Sequence, residues 1–137
     1  MGIRRKAREC ALQLLFQCEY SPPDTSESVE SYWSAHPISP KIREYADSLV
    51  SGVLSNKEEI DELISRKADN WRLERITLVD RNILRIALFE FLYRPEIPKS
   101  VVINEALEVA KKYSSEDSAH FINGILDGVK LYPEGGK

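Results

Sequence analysis

Four bases open the chain ahead of any acid: Arg4, Arg5, Lys6 and Arg8. The planar, multi-donor fork of arginine suits phosphates and base edges, so this cluster is a candidate nucleic-acid contact. Asp117 and His120 stand three residues apart near Ser114, Ser115 and Ser118. On one helix face such a carboxylate would orient the imidazole as a base. The same residues read more simply as a helix start rich in capping side chains with one surface or half-buried histidine. The paired acids Glu58 with Glu59 and Asp61 with Glu62 read as a solvated face, and Trp33 and Trp71 as packing. Cys10 and Cys18 on one helix would lie about 12 Å apart along its axis, too far for a disulfide, so both read as reduced core residues. The remaining soft ligands, His36, His120 and Met1, are scattered. Phosphate loops, dinucleotide fingerprints, nucleophile elbows and zinc spacings are missing from the sequence, so no catalytic residue, metal or cofactor is expected.

The charge distribution narrows what those bases can do. The chain holds 19 Lys and Arg against 22 Asp and Glu, for a net charge of −3. Residues 1–20 carry net +2, residues 21–69 net −5, and residues 70–137 are balanced. An acidic middle repels phosphate, so the chain is no general polyanion binder and any nucleic-acid site must be local. Its 137 residues suit one compact domain that needs no disulfide framework or structural metal. The longest apolar stretch, Ile83 to Tyr93, is broken by Arg85 and Glu90 and falls short of the roughly 20 residues that span a bilayer. The start shows no secretory pattern, and a cytoplasmic protein without a membrane partner is expected.

Turn signals divide the chain into about six or seven helices, with no convincing strand and no fixed-period repeat. The first helix reads from Ile3 to Tyr20 and is closed by Pro22 and Pro23. Asp24 or Thr25 is placed to cap a short second helix carrying Val29, Tyr32 and Trp33 and ending before Pro37. Ser39 followed by Pro40 predicts the start of a third helix running through Leu54. Asn56 is the candidate cap of a continuation through Ile60, Leu63 and Ile64, with acids in its first turns where the helix dipole favours them. The longest helix is expected from about Leu73 to Arg94, apolar on nearly every side in its second half and therefore central. Pro95 and Pro98 bracket a linker before the helix that carries Val102, Ala106 and Val109. Ser114 and Ser115 recap the chain, with Asp117 in a capping-box variant, before a last helix in which Gly124 is read as a close helix contact. The tail 133–137 is expected to be loose.

On the first helix, Ile3, Ala7, Cys10, Ala11, Leu14 and Cys18 form the expected core face. Arg5, Arg8, Leu12 and Phe16 lie opposite, with Arg4 and Leu15 at the border. This second stripe is basic at its beginning and apolar at its end. Two readings stay open: an RNA and protein-partner surface, or solubilising charge with apolar residues packed under a second layer. Periodicity does not choose between them.

The run Arg4-Arg5-Lys6-Ala7-Arg8-Glu9-Cys10-Ala11-Leu12-Gln13-Leu14-Leu15-Phe16 resembles the opening of the NusB family of bacterial transcription antitermination factors. Three further blocks in family order resemble it too: Asp80 to Ala87 with Glu90, Ile97-Pro98 with Val102 to Lys111, and Asp117-Ser118 with Phe121 to Asp127. The stretch from Ser21 to Asn70 carries little of that signature. The resemblance implies an all-α domain over 1–137 in two packed helical subdomains, about 1–70 and 71–132, without catalytic activity. It implies binding to the boxA element of ribosomal RNA leader transcripts as single-stranded RNA. The implied partners are the ribosomal protein NusE and, with other Nus factors, the RNA polymerase elongation complex. Carried onto this sequence, the RNA surface comprises Arg4, Arg5, Lys6, Arg8, Asp117 and Phe121, and Phe16 and Asp80 match the protein-partner surface, to which the exposed-stripe reading adds Leu12. Asp80 stands where glutamate is more usual, which shortens its reach. Rival readings are the related amino-terminal module of an rRNA cytosine methyltransferase and a helical adaptor that does not bind RNA. Monomer and homodimer are both left open.

Overall fold

The computed structural model describes residues 2–20, 25–68 and 73–129. Among them are seven α-helices and one 3₁₀ turn, with no strand: α1 (Ile3–Tyr20), α2 (Thr25–Ala35), α3 (Pro40–Ser55), α4 (Lys57–Lys67), the 3₁₀ turn Leu73–Arg75, α5 (Leu78–Tyr93), α6 (Lys99–Tyr113) and α7 (Glu116–Asp127). Pro22, Pro23, Asp24, Trp71 and the tail 133–137 lie outside the described residues.

Helix α5 is the centre. From Asn82 to Phe91 every residue is buried, because α1, α3, α4, α6 and α7 all pack against it. A helix apolar on almost every side has no other stable position in water. Its start differs from the sequence expectation. Apolar spacing carries back to Leu73, but Thr77 adopts an extended conformation and its Oγ1 accepts the Asp80 backbone N–H at 3.2 Å, so the helix begins at Leu78. The longest helix is consequently α1, of 18 residues.

Ser39 and Pro40 open α3 as expected, with Ser39 Oγ accepting from the Ile42 N–H. Asn56 does not cap α4 with its side chain; its Nδ2 donates to the Gly52 carbonyl at 2.8 Å and closes α3 instead. Ser115, one residue later than the capping-box reading placed it, caps α7 by accepting the Ser118 N–H at 3.0 Å. Gly124 is not a close contact, since a Cβ there would meet nothing within 4 Å. The close approach is at Gly52, where a Cβ would fall 2.2 Å from the Phe89 ring, so that the ring or α3 would have to shift.

Of the charged side chains buried along α5, Arg85 and Glu90 are paired with opposite charges, while Asp80 has one carboxylate oxygen, Oδ1, buried without a hydrogen-bond partner among the described residues. Arg85 donates to Asp61 of α4 at 2.8 and 3.0 Å and to Asn82 Oδ1 at 2.9 Å, fastening α4 to the centre. Trp33 is buried, with Nε1 donating to Asp47 at 2.8 Å, and so joins α2 to α3. Cys10 is buried and Cys18 half-buried, and both are free thiols.

Candidate nucleic-acid interface

The start of α1 lies along α6 in a seam of polar pairs one turn apart. Arg5 donates through Nε and Nη2 to Glu105 at 2.9 and 2.8 Å, a two-bond fork. One turn on, Glu9 accepts from Lys112 Nζ at 3.1 and 3.2 Å and from the Tyr113 hydroxyl at 3.3 Å. Gln13 then donates to the Tyr113 hydroxyl at 3.4 Å and accepts from the Tyr32 hydroxyl at 2.8 Å, bringing α2 into the same line. The hydrogen bonds from Arg5, reinforced by its charge, hold the Glu105 carboxyl below its usual range and push the Arg5 guanidinium further up.

Beneath the seam sits a buried hub. Arg8 Nε donates to both oxygens of Glu90 at 3.0 and 3.1 Å, its Nη1 lies 3.7 Å from Glu105, and the Tyr45 hydroxyl donates to Glu90 at 2.6 Å. Burial, then the bond to Glu90, raises the Tyr45 hydroxyl well above the ordinary tyrosine range.

These positions sort the expected site residues. Arg4 and Lys6 are exposed, and Arg5 keeps 42% of its side chain in solvent. Arg8 does not lie on that surface, being 5% exposed, and Leu12 is 4% exposed. The reason is that α1 is covered by α2, α3 and α5 and flanked by α6, so its second stripe is half interior. Phe16, further along, is 41% exposed.

Asp80 is likewise buried rather than displayed. It lies in the first turn of α5, and its Oδ2 accepts from Ser118 Oγ at 2.8 Å, which in turn receives Ser114 Oγ at 2.7 Å. With Arg75, Thr77, Asp117, Ser118 and Phe121 it lines a cleft of about 250 Å³ between the starts of α5 and α7. The structure thus brings Asp80, Asp117 and Phe121 together, at a different place from the basic start of α1. His120 and Asp117 are both exposed on α7. Among the described residues no group of three or more His, Cys, Asp or Glu is placed to hold a metal ion, and no helix is long and apolar enough to cross a membrane.

The sequence reading did not find Glu105, Glu90 or Tyr45. An acid such as Glu90 inside an otherwise apolar central helix was the available signal, because a buried carboxylate requires a partner.

The described residues thus form an all-helical protein with a basic helix edge set on a buried ionic hub. The NusB family profile matches residues 5–130. The chain is 49% identical over 135 residues to the transcription antitermination protein NusB of Myxococcus xanthus (strain DK1622), with 96% of each chain covered. It is 46% identical over 130 residues to that of Geobacter sulfurreducens, with 94% of each covered. Among solved structures it is similar to T. maritima NusB, with a TM-score of 0.82 at 38% identity, covering 93% of this chain and 89% of that one. It is also similar to a chain from a crystal structure of the antitermination factors NusB and NusE in complex with dsRNA, with a TM-score of 0.83 at 26% identity, covering 93% of this chain and 95% of that one. The chain belongs to the NusB family of transcription antitermination proteins.

Proposed function

We propose that the chain binds boxA RNA through the exposed start of α1, does so jointly with NusE, and passes the assembly to elongating RNA polymerase. The observation that carries this reading is the state of the bases on α1: Arg4 and Lys6 are exposed, and Arg5 is clamped on one edge by Glu105 while its side chain stays partly in solvent. Arg5 has five N–H donors and spends two on Glu105, so a second fork remains for a phosphate. Arg8 acts as a strut that holds α1 on the core. Phosphate contacts give register and salt-dependent affinity, while sequence is read on unstacked bases.

Asp117 and Phe121 are assigned to base contact in the cleft at the start of α7, where an aromatic wall and hydrogen-bonding side chains stand together. With Asp80 and Asp117 set against the single base Arg75, the cleft is net acidic and favours base edges over phosphate. Phe16 is assigned to NusE, as an exposed aromatic on the helix that also carries the basic edge. The similarity to a chain solved with NusE and dsRNA supports both partners. A binding role in the cytoplasm, without catalysis or cofactor, completes the reading.

The test is fluorescence anisotropy of labelled boxA RNA against a scrambled RNA, over a salt series, with and without NusE. Preference for boxA that strengthens when NusE is added is expected. A coupling of about 1–3 kcal/mol would appear as a roughly 5- to 150-fold gain. Equal, weak binding of both RNAs in all conditions would overturn the proposal and leave a helical adaptor.

A further inference from the structure

Arg4 is held differently from the other arginines at the start of α1. Arg5 and Arg8 are fastened by carboxylates. Among the described residues Arg4 has no ion-pair partner, and its guanidinium lies 5.0 Å from the centroid of the Tyr45 ring. That ring is itself fixed. Tyr45 stands half-buried on α3, and its hydroxyl donates at 2.6 Å to Glu90, the carboxylate that also receives Arg8. Glu90 is buried in the central helix, so one end of the tyrosine is tied to the core while its face receives Arg4.

A cation over an aromatic face is attracted by the ring quadrupole, and the ring carries no charge to cancel it. The seat therefore restricts a long side chain while leaving its full charge and all its N–H donors for a phosphate. A carboxylate partner, as at Arg5, restricts the side chain but also neutralises it.

We propose that Tyr45 is a positioning residue for RNA binding: its ring seats Arg4 for phosphate contact, and the hydroxyl bond to Glu90 holds the ring. The inference rests on the RNA reading above and adds α3 to the RNA face, a helix outside every sequence block that resembles the family.

The experiment compares boxA anisotropy for the full chain with Tyr45→Phe, Tyr45→Leu, Arg4→Ala and the double variant Arg4→Ala/Tyr45→Leu, each checked for helicity by circular dichroism. Tyr45→Phe keeps the ring and is expected to bind as wild type does. Tyr45→Leu is expected to bind roughly two- to fivefold more weakly. The double variant should bind no more weakly than Arg4→Ala alone, since the seat has no role without its occupant. Tyr45→Leu binding like wild type, or losses that simply multiply in the double variant, would overturn the inference. If Tyr45→Leu does not fold, the decisive readout is the NMR shift of the Arg4 δ protons in wild type. An upfield ring-current shift that persists when RNA is added supports the seat, and its absence, or its loss on adding RNA, overturns it. Wild-type protein that binds no RNA would remove the RNA reading itself, whereas intact wild-type binding with an unmoved Tyr45→Leu removes only the role of Tyr45.

Discussion

Arg8 and Arg4 are four residues apart on one helix, yet their replacement should have opposite consequences. Removing the Arg8 guanidinium leaves Glu90 buried with only the Tyr45 hydroxyl for support. Breaking a buried pair in this way costs about 3–5 kcal/mol, so Arg8→Ala should lower the urea midpoint steeply. Arg4→Ala, on an exposed side chain, should stay within about 0.5 kcal/mol of wild type in the same melts while weakening RNA binding. Equal stability losses for the two variants would contradict the division between strut and contact. Glu105 adds a pH dependence. Its carboxyl titrates below the ordinary 4.5 because Arg5 bonds to it, so its contribution to stability is present above that value and fades as pH falls through the lower folded value. Wild type should therefore exceed Glu105→Gln in stability at neutral pH, and the gap should close in melts taken progressively below pH 4.5; a gap that held constant with pH would refute the linkage. The sequence names Arg4 as an RNA contact and leaves open that Leu12 packs under a second layer, but its spacing gives no sign that Arg8 is a strut or that Arg5 pairs with Glu105. A helical wheel divides α1 into an inner and an outer face, but α1 is enclosed by several helices, and Arg8 and Leu12 on the nominal outer face are interior.

At the scale of elements, most helix starts are written locally and most helix contacts are not. Ser39 with Pro40 fixes the start of α3 from adjacent residues alone, and the density of apolar residues from Ile83 onward marks α5 as central. Apolar spacing places the start of α5 too early because Leu73 and Ile76 extend it, while the stop is made by a threonine cap that periodicity does not register. The glycines make the same point. Gly124, flanked by apolar residues at helical spacing, meets nothing, whereas Gly52 lies against Phe89, 37 positions away in sequence. Gly52→Ala should thus destabilise by about 1–3 kcal/mol through overpacking at the α3–α5 crossing. Gly124→Ala, exposed within α7, should stabilise by roughly 0.5–1 kcal/mol through helix propensity alone. Thermal melts of the two variants shifting in the same direction would contradict this assignment of the close contact.

For the whole molecule, electrostatics limits how strongly RNA can be held. A net charge of −3 gives no long-range attraction, and three of the bases along the α1–α6 seam, Arg5, Arg8 and Lys112, already face carboxylates. These pairings join residues 82 to 103 positions apart, so the charge count read from the sequence at the start of α1 overstates what is available. What remains is the full charge of Arg4 and Lys6 and the outer edge of Arg5. Single-stranded RNA releases roughly 0.7 of a counterion per phosphate neutralised, so two or three contacts predict a shallow dependence of log affinity on log salt, with a slope near −1.4 to −2.1. The variant Arg4→Ala/Lys6→Ala should reduce that slope by about 1.4, since two of the phosphate contacts are removed. Arg8→Ala, measured where it remains folded, should leave the slope nearly unchanged because its charge is spent on Glu90. A slope that responds to Arg8 and not to Arg4 and Lys6 would move the RNA track off the exposed edge. On the proposed function, a slope this shallow would leave affinity and selectivity to base contacts and to surface that a partner completes.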